Sequence, residues 1–413
     1  MLKYISYSSL KEDKLTFLLI LLFPIFLITG NLLINFFFIS ISILSLYNLN
    51  KKINFFKSAI FFLLIFFLIY LGLNLFFSVN IFNSYPRVIK FFLIILFINE
   101  FYNFNYKREI YFEKIMKFWT VIYFVVTIDI VFELIFGFNT FGFKAYLEGR
   151  VASFFGDELV VGTFYHFFSL IVLSYFVTNK HSNILVILLI ILIISISFMI
   201  GERANFIKLF FSISLFSFLI LKINFTKKII MIGLTLFILG TILNSNESLK
   251  ERYYKQISII YSFDGLKKYY KESSYGAHQS TAYEIFKDNM LFGVGLKNFR
   301  EESKKSIYEN PEYKLTKGRQ TTHPHQIHLE LLSEIGLVGY IIFLTLIFFS
   351  IIVSIKNYLV QQNIYQLSCI IYIISCLIPL IPSGSIFSTF FGGIFWFSFG
   401  LMISLNKNLK PKF

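Results

Sequence analysis

The chain alternates long apolar runs with short polar breaks. Windows long enough to cross a bilayer fall at 15–29, 31–47, 55–77, 87–101, 118–137, 159–178, 183–200, 204–221, 228–244, 335–355, 365–381 and 384–404. Each predicts a transmembrane helix, twelve in all. The first pair, and the pair flanking "GERAN", follow so closely that their boundaries are soft. One polar stretch, residues 245–334, stands apart, and no internal repeat is evident. The expected fold is an all-α polytopic membrane protein. Residues 1–413 form a single integral domain, with one large loop, 245–334, between spans nine and ten.

Composition supports that class. Of 413 residues, 56% are hydrophobic and 15% charged, which excludes a soluble domain of this length. No small-residue cleavage site follows the first apolar run, so it is read as a retained span. Cys369 and Cys376 share one face of one apolar run and are read as packing residues, since a disulfide within a regular helix is geometrically poor.

Charge sets an orientation. With the N-terminus in the cytoplasm, the inner loops carry eighteen Lys and Arg: Lys3, Lys11, Lys14, Lys51, Lys52, Lys57, Lys107, Arg108, Lys114, Lys117, Lys180, Lys222, Lys227, Lys228, Lys356, Lys407, Lys410 and Lys412. The short outer loops and helix ends carry six: Arg87, Lys90, Lys144, Arg150, Arg203 and Lys208. This bias predicts that both termini are cytoplasmic and that 245–334 lies outside. That segment holds 14 basic against 12 acidic residues. The total charge of +15 is therefore a topology signal, and no nucleic-acid partner is expected.

The outer side gathers the unusual polar residues, in "YLEGRVASFFGDELVVGTF" (146–164), "MIGERANF" (199–206), "DNMLFGVGLKNFR" (288–300) and "PLIPSGSIFSTFFGG" (379–393). Arg203 sits near membrane depth, where a charge is costly without a partner or ligand. It reads either as an anchor paired with Glu202 or as an anion site, because a guanidinium offers phosphate a planar two-pronged donor. Asp129 and Glu133 lie at i, i+4 on one helical face, as an ion relay or as the partners of a basic group on another helix. "GVGLKNFR" lacks the ending of a phosphate loop and reads as a tight turn after the amphipathic stretch "STAYEIFKDN" (280–289), capped by Ser280 or Thr281. "HPHQIH" holds three of the six histidines. Pro324 makes a helix opener, which puts His325 and His328 on one face. A metal site, plain surface histidines and a catalytic base all remain open.

These segments carry a resemblance. "THPHQIHLELLSEIGLVGY" (322–340) resembles the His-Pro-His-Asn…Leu-Glu-Leu-Leu-x-Glu-x-Gly-Leu-x-Gly signature of the O-antigen ligase and O-antigen polymerase superfamily. "GERANF", "FKDNMLFGVGLKNFR" and "IPSGSIFSTFFGGIFWFSFG" are similar, in order and spacing, to the outer loop, the preceding turn and the final helix pair of that family. The likeness covers residues 150–404 and extends to the twelve-span layout with its one large loop.

The resemblance implies a membrane glycosyltransferase of the GT-C type in the bacterial inner membrane, with its site facing the periplasm. It implies a donor glycan on undecaprenyl diphosphate and an acceptor sugar hydroxyl. A ligase takes that hydroxyl from lipid A–core. A polymerase takes it from another lipid-linked repeat, with a chain-length regulator as a further partner. Inversion at the anomeric carbon, with no metal and no cofactor, is implied as well. On this chain His325 matches the general base and Arg203 the arginine that holds the diphosphate. There are two departures from the pattern. Gln326 stands where Asn is usual, and the family's second arginine falls in "GAHQSTAYEIF", where His278 or Gln279 is nearest. Arg300, alone or with Arg150, is expected to stand in for it. His323, His328, Gln326 and Glu330 are left with supporting or acceptor-side roles. The competing class is a lipid-linked glycan flippase or transporter built on Asp129 and Glu133; the asymmetric layout argues against it.

Overall fold

The computed structural model describes residues 7–48, 55–107, 109–156, 159–261, 264–312 and 315–406. Of the basic residues used for orientation, Lys3, Lys51, Lys52, Arg108, Lys407, Lys410 and Lys412 lie outside the described residues. All regular structure among those described is helical. The first helices are α1 (Tyr7–Leu21), α2 (Phe23–Thr29), α3 (Asn31–Tyr47), α4 (Ala59–Asn74), α5 (Ile81–Lys107) and α6 (Glu109–Phe136). There follow α7 (Val161–Thr178), α8 (Asn183–Met199), α9 (Arg203–Ile220) and α10 (Phe225–Ser245). Shorter helices α11 (Glu247–Tyr261), α12 (Gly265–Glu272), α13 (Ser274–Asp288) and α14 (Phe299–Glu302) occupy the polar stretch. The chain closes with α15 (Ile327–Gln361), α16 (Ile364–Cys376) and α17 (Phe390–Ser404).

Each of the twelve apolar windows coincides with helix. Among the described residues, seven helices are long and apolar enough to cross a membrane, and α3, α8, α16 and α17 are shorter apolar helices. The protein is a polytopic, all-α membrane protein. Its core is aromatic: Phe23 and Phe397 stack at 3.8 Å between ring centroids, with Phe37, Phe97, Phe101 and Trp119 around them. Outward faces stay greasy, as at Phe62, Phe66, Ile69 and Leu73 of α4, which suits contact with lipid. Cys369 and Cys376 are buried free thiols within that packing.

The windows shift where proline and glycine intervene. The first is broken at Leu22, ahead of Pro24. The last two stop short of each other: residues 377–389, with Pro379, Pro382 and Gly384, form an irregular turn between α16 and α17. Helix α5 begins six residues before its window and has Pro86 inside it, so Arg87 and Lys90 are helical.

Helix α15 explains both glycine motifs. Its 35 residues span about 52 Å, well beyond a hydrocarbon layer of about 30 Å. It is kinked at Gly336, where φ is 67° and ψ is −177°. The kink frees backbone groups that the 290–295 turn takes up. Leu337 and Val338 donate to Met290 and Leu291 carbonyls at 2.8 and 3.2 Å, while Val294 and Gly295 donate to Ser333 and Glu334 carbonyls at 3.0 and 2.8 Å. A Cβ at Gly336 would run into the Leu291 and Phe292 backbone, and one at Gly293 into the Glu334 and Gly336 backbone. "GVGLKNFR" is thus a docking turn that fixes the histidine segment against the bundle.

Two helix starts differ from the sequence expectation. Helix α13 begins at Ser274, capped by Ser273, whose hydroxyl accepts from Gly276 N–H at 3.0 Å. Ser280 and Thr281 therefore lie inside it, because the polar stretch before them keeps helical hydrogen bonds. Helix α15 begins at Ile327, not at Pro324. Gln326 is its cap, its side-chain oxygen accepting from Leu329 N–H at 2.7 Å. His325 lies outside the helix with φ of 55°, so His325 and His328 do not share a helical face.

Candidate active site

The polar ends of these elements surround a cavity of about 530 Å³. Its walls come from the start of α5 (Arg87), the 146–164 segment (Arg150), the start of α9 (Arg203), the docking turn and α14 (Lys297, Arg300), the histidine segment (His323, His325) and the 377–389 turn (Ser383, Ser385, Ser388). Five fixed cations thus face one space. Among the described residues that line it, Glu202 is the one carboxylate, and it is already engaged.

Glu202 does not pair with its neighbour Arg203. Its carboxylate accepts from Gly162 N–H at 3.0 Å and from Asn205 Nδ2 at 2.6 Å, and a Cβ on Gly162 would lie 2.7 Å from it. Burial pushes the Glu202 carboxyl above its ordinary range, and those hydrogen bonds, with Arg150 and Arg252 nearby, act against the rise. Arg203 is half-buried and donates through Nη1 to the Arg252 carbonyl at 2.8 Å. Arg252 donates in turn to the Glu148 and Gly201 carbonyls at 3.0 and 3.3 Å, tying the three segments together. Arg150 Nε and Arg87 Nε are buried with no partner among the described residues, so each has donor capacity left over.

His325 carries the open imidazole. Its ring packs edge-on to Tyr275 at 5.5 Å, stacks on His278 at 5.4 Å and lies 4.1 Å from His323, centroid to centroid. No side-chain hydrogen bond holds its ring among the described residues. Burial, then His278 and Lys297, push its pKa down to about 4. It is therefore neutral near pH 7, with a lone pair to accept a proton. His323 is held still further below the ordinary histidine value, mainly by burial and then by His325. It meets Thr322 Oγ1 through Nδ1 at 3.0 Å, and its Nε2 is buried with no hydrogen-bond partner among the described residues.

The remaining sequence candidates sit around this centre. His278 stands behind His325, its Nε2 2.8 Å from the Gly318 carbonyl, and burial lowers its pKa. Gln326 is spent on the α15 cap. Glu330 is buried 3.8 Å from Lys297 Nζ. His328 faces away, with Nδ1 at Tyr340 Oη (3.0 Å) and Nε2 at the Leu377 carbonyl (2.8 Å). Arg300 is exposed at the rim. Among the described residues, Asp129 and Glu133 are hydrogen-bonded to loop groups and to no basic residue of another helix. Thr140 N–H and hydroxyl donate to Asp129 at 2.9 and 2.7 Å, and the Ser153 hydroxyl donates at 2.6 Å. Ala152 and Ser153 N–H donate to Glu133 at 3.1 and 2.6 Å. The pair clamps the loop that delivers Arg150.

Sequence reasoning missed Arg87, Lys297 and Tyr275. A signal for Arg87 was present: it is one of few cations on the side where the charge bias disfavours them. Lys297 is placed by the docking turn. Its N–H donates to Glu334 Oε2 at 2.8 Å and its ammonium to Ser385 Oγ at 2.9 Å, contacts that no local pattern announces. Among the described residues no group of three or more His, Cys, Asp or Glu is arranged to hold a metal ion.

The arrangement suits a reaction between an anionic, phosphate-bearing substrate and a hydroxyl that must lose its proton. No curated protein matches the chain. Residues 166–344, which include Arg203, the docking turn and the histidine segment, match the family model described as O-antigen ligase. That match, over less than half of the chain, is a likeness to the O-antigen ligase and polymerase superfamily.

Proposed function

We propose that the cavity transfers a glycan from undecaprenyl diphosphate to a sugar hydroxyl of lipid A–core, at the periplasmic face of the inner membrane. The observation that carries this reading is that an open, neutral imidazole, His325, and five cations, Arg87, Arg150, Arg203, Lys297 and Arg300, line one cavity. Arg203 and Arg150 grip the donor diphosphate from one wall. Arg87 and Lys297 do so from the other, in the place of the arginine missing from "GAHQSTAYEIF". Arg300 contributes from the rim.

The chemistry follows. His325 accepts the acceptor hydroxyl proton as the oxygen attacks the anomeric carbon. The bond from that carbon to the phosphate oxygen breaks, and undecaprenyl diphosphate leaves with the electron pair. Attack opposite the leaving group inverts the anomeric centre. Charge develops on the departing diphosphate, where prearranged guanidinium groups stabilise the transition state. Five side-chain cations supply the neutralisation that a divalent ion supplies in much phosphate chemistry. Donor binding also prepares the base: a diphosphate anion offsets the Lys297 field that holds His325 down, and so raises its basicity.

Lipopolysaccharide from a deletion strain, complemented with wild type or His325→Ala, tests this on a gel. A ligase variant leaves bare core. A single repeat on the core assigns the joining of lipid-linked repeats, which is polymerase activity. A normal ladder with stably expressed His325→Ala contradicts both.

A further inference from the structure

We infer that Lys208, buried in α9 below the cavity, is a positioning residue that sets His325 through a single peptide plane. The inference rests on the reading of His325 as the base. Lys208 is 1% exposed, and its ammonium donates to the Pro382 carbonyl at 2.9 Å. That carbonyl belongs to the same peptide unit as the Ser383 N–H, which donates to the His325 carbonyl at 2.8 Å. The 382–383 peptide is trans, so its C=O and N–H point in opposite directions. Lys208 holds one edge of the plane and His325 the other. A cation on the carbonyl polarises the whole unit and strengthens its N–H as a donor.

His325 needs such a tie. Its φ of 55° is uncommon for a residue with a side chain, and it precedes the first turn of α15. The 377–389 turn that holds it has few helical bonds of its own. It is fastened instead by side chains: Lys297 on Ser385, Arg87 on the Phe387 carbonyl and Lys90 on the Ser388 carbonyl. Lys208 is the fastener next to His325. Its ammonium also lies 5.8 Å from the Phe391 ring, against which Gly384 packs so closely that a Cβ there would come within 2.7 Å. Arg203 opens α9 and Lys208 lies five residues later on it. One rigid helix therefore fixes both the group that holds the donor and the group that orients the base.

The test compares wild type with Lys208→Met and Lys208→Arg in proteoliposomes. Amide hydrogen exchange over 377–389 is followed alongside kcat and donor KM. We expect Lys208→Met to speed exchange at Ser383. It should lower kcat by on the order of 10- to 100-fold, the scale of a misplacement of about 1 Å, with donor KM within about twofold, since the diphosphate contacts are kept. Lys208→Arg, which retains a donor in reach, recovers part of kcat. Unchanged exchange at Ser383 in Lys208→Met overturns the inference. So does a kcat equal to wild type, or a loss confined to KM. In the wild type alone, a Ser383 amide exchanging as freely as its neighbours in the turn also overturns it. If wild type transfers no glycan, the function proposed above fails, while exchange still reports on the tie.

Discussion

His278 and His325 stack with ring centroids 5.4 Å apart, and His278 turns its Nε2 away to the Gly318 carbonyl at 2.8 Å. The stack places a second titratable ring against the candidate base, and burial with His278 and Lys297 holds His325 at about 4. Protonation removes the base, so activity is lost as pH falls through that value. We expect the acid limb of kcat/KM, which reports the free enzyme, near pH 4. The limb of kcat should lie higher, because bound diphosphate raises the imidazole. His278→Asn should move the free-enzyme limb up towards the ordinary histidine range. A limb already near 6.5 in wild-type kcat/KM would contradict this electrostatic account.

Arg87 and Arg300 separate a cavity wall from a rim. Arg87 is half-buried with a free Nε, and Arg300 is exposed. Arg87→Ala should raise donor KM about tenfold or more, the worth of a charge-assisted hydrogen bond. Arg300→Ala should change it less than about threefold, as for a solvated charge. Initial rates over a donor series decide; the reverse order would place the diphosphate at the rim.

Gly162 faces the Glu202 carboxylate, and an added Cβ would meet it at 2.7 Å. Gly162→Ala should displace Glu202, and with it the start of α9 and Arg203. Transfer should fall by about 10- to 100-fold, the scale of a small misplacement at the site, in protein that still reaches the membrane. Activity within about twofold of wild type would mean that this contact does not set Arg203.

Asp129 and Glu133 hold a loop and leave no carboxylate idle. Glu133→Gln should lower stability by about 1–3 kcal/mol, the cost of weakening buried hydrogen bonds to a charged group. Any transfer that remains should be the same with and without an imposed ion or proton gradient. A gradient requirement that vanishes in Glu133→Gln would revive a transport role.

The bundle was legible from the chain because lipid demands continuous apolar helix. All twelve windows fell on helices; proline and glycine broke two of them, at Leu22 and across 377–389, while α5, α6 and α15 run beyond their windows. Residue type and resemblance single out His325, Arg203, Arg150 and Arg300, and these four line one cavity. What local pattern could not reveal was long-range. Lys297 reaches Ser385, and the Ser383 amide holds His325 across 58 positions of chain. The pairing of His328 with Tyr340 and Leu377 removes it from the site for the same reason. Asp129 and Glu133 are held by loop N–H and hydroxyl donors, which leave no mark in sequence.

Glycan transfer by the purified protein in proteoliposomes tests the central claim most directly. The assay supplies a labelled undecaprenyl-diphosphate-linked glycan and lipid A–core, and compares wild type with His325→Ala. The account predicts labelled product and released undecaprenyl diphosphate from wild type. It predicts a loss on the order of 100- to 10,000-fold in the variant, the usual worth of a general base, with donor binding retained. Equal transfer by the two proteins, or none by either while the donor binds, would contradict it.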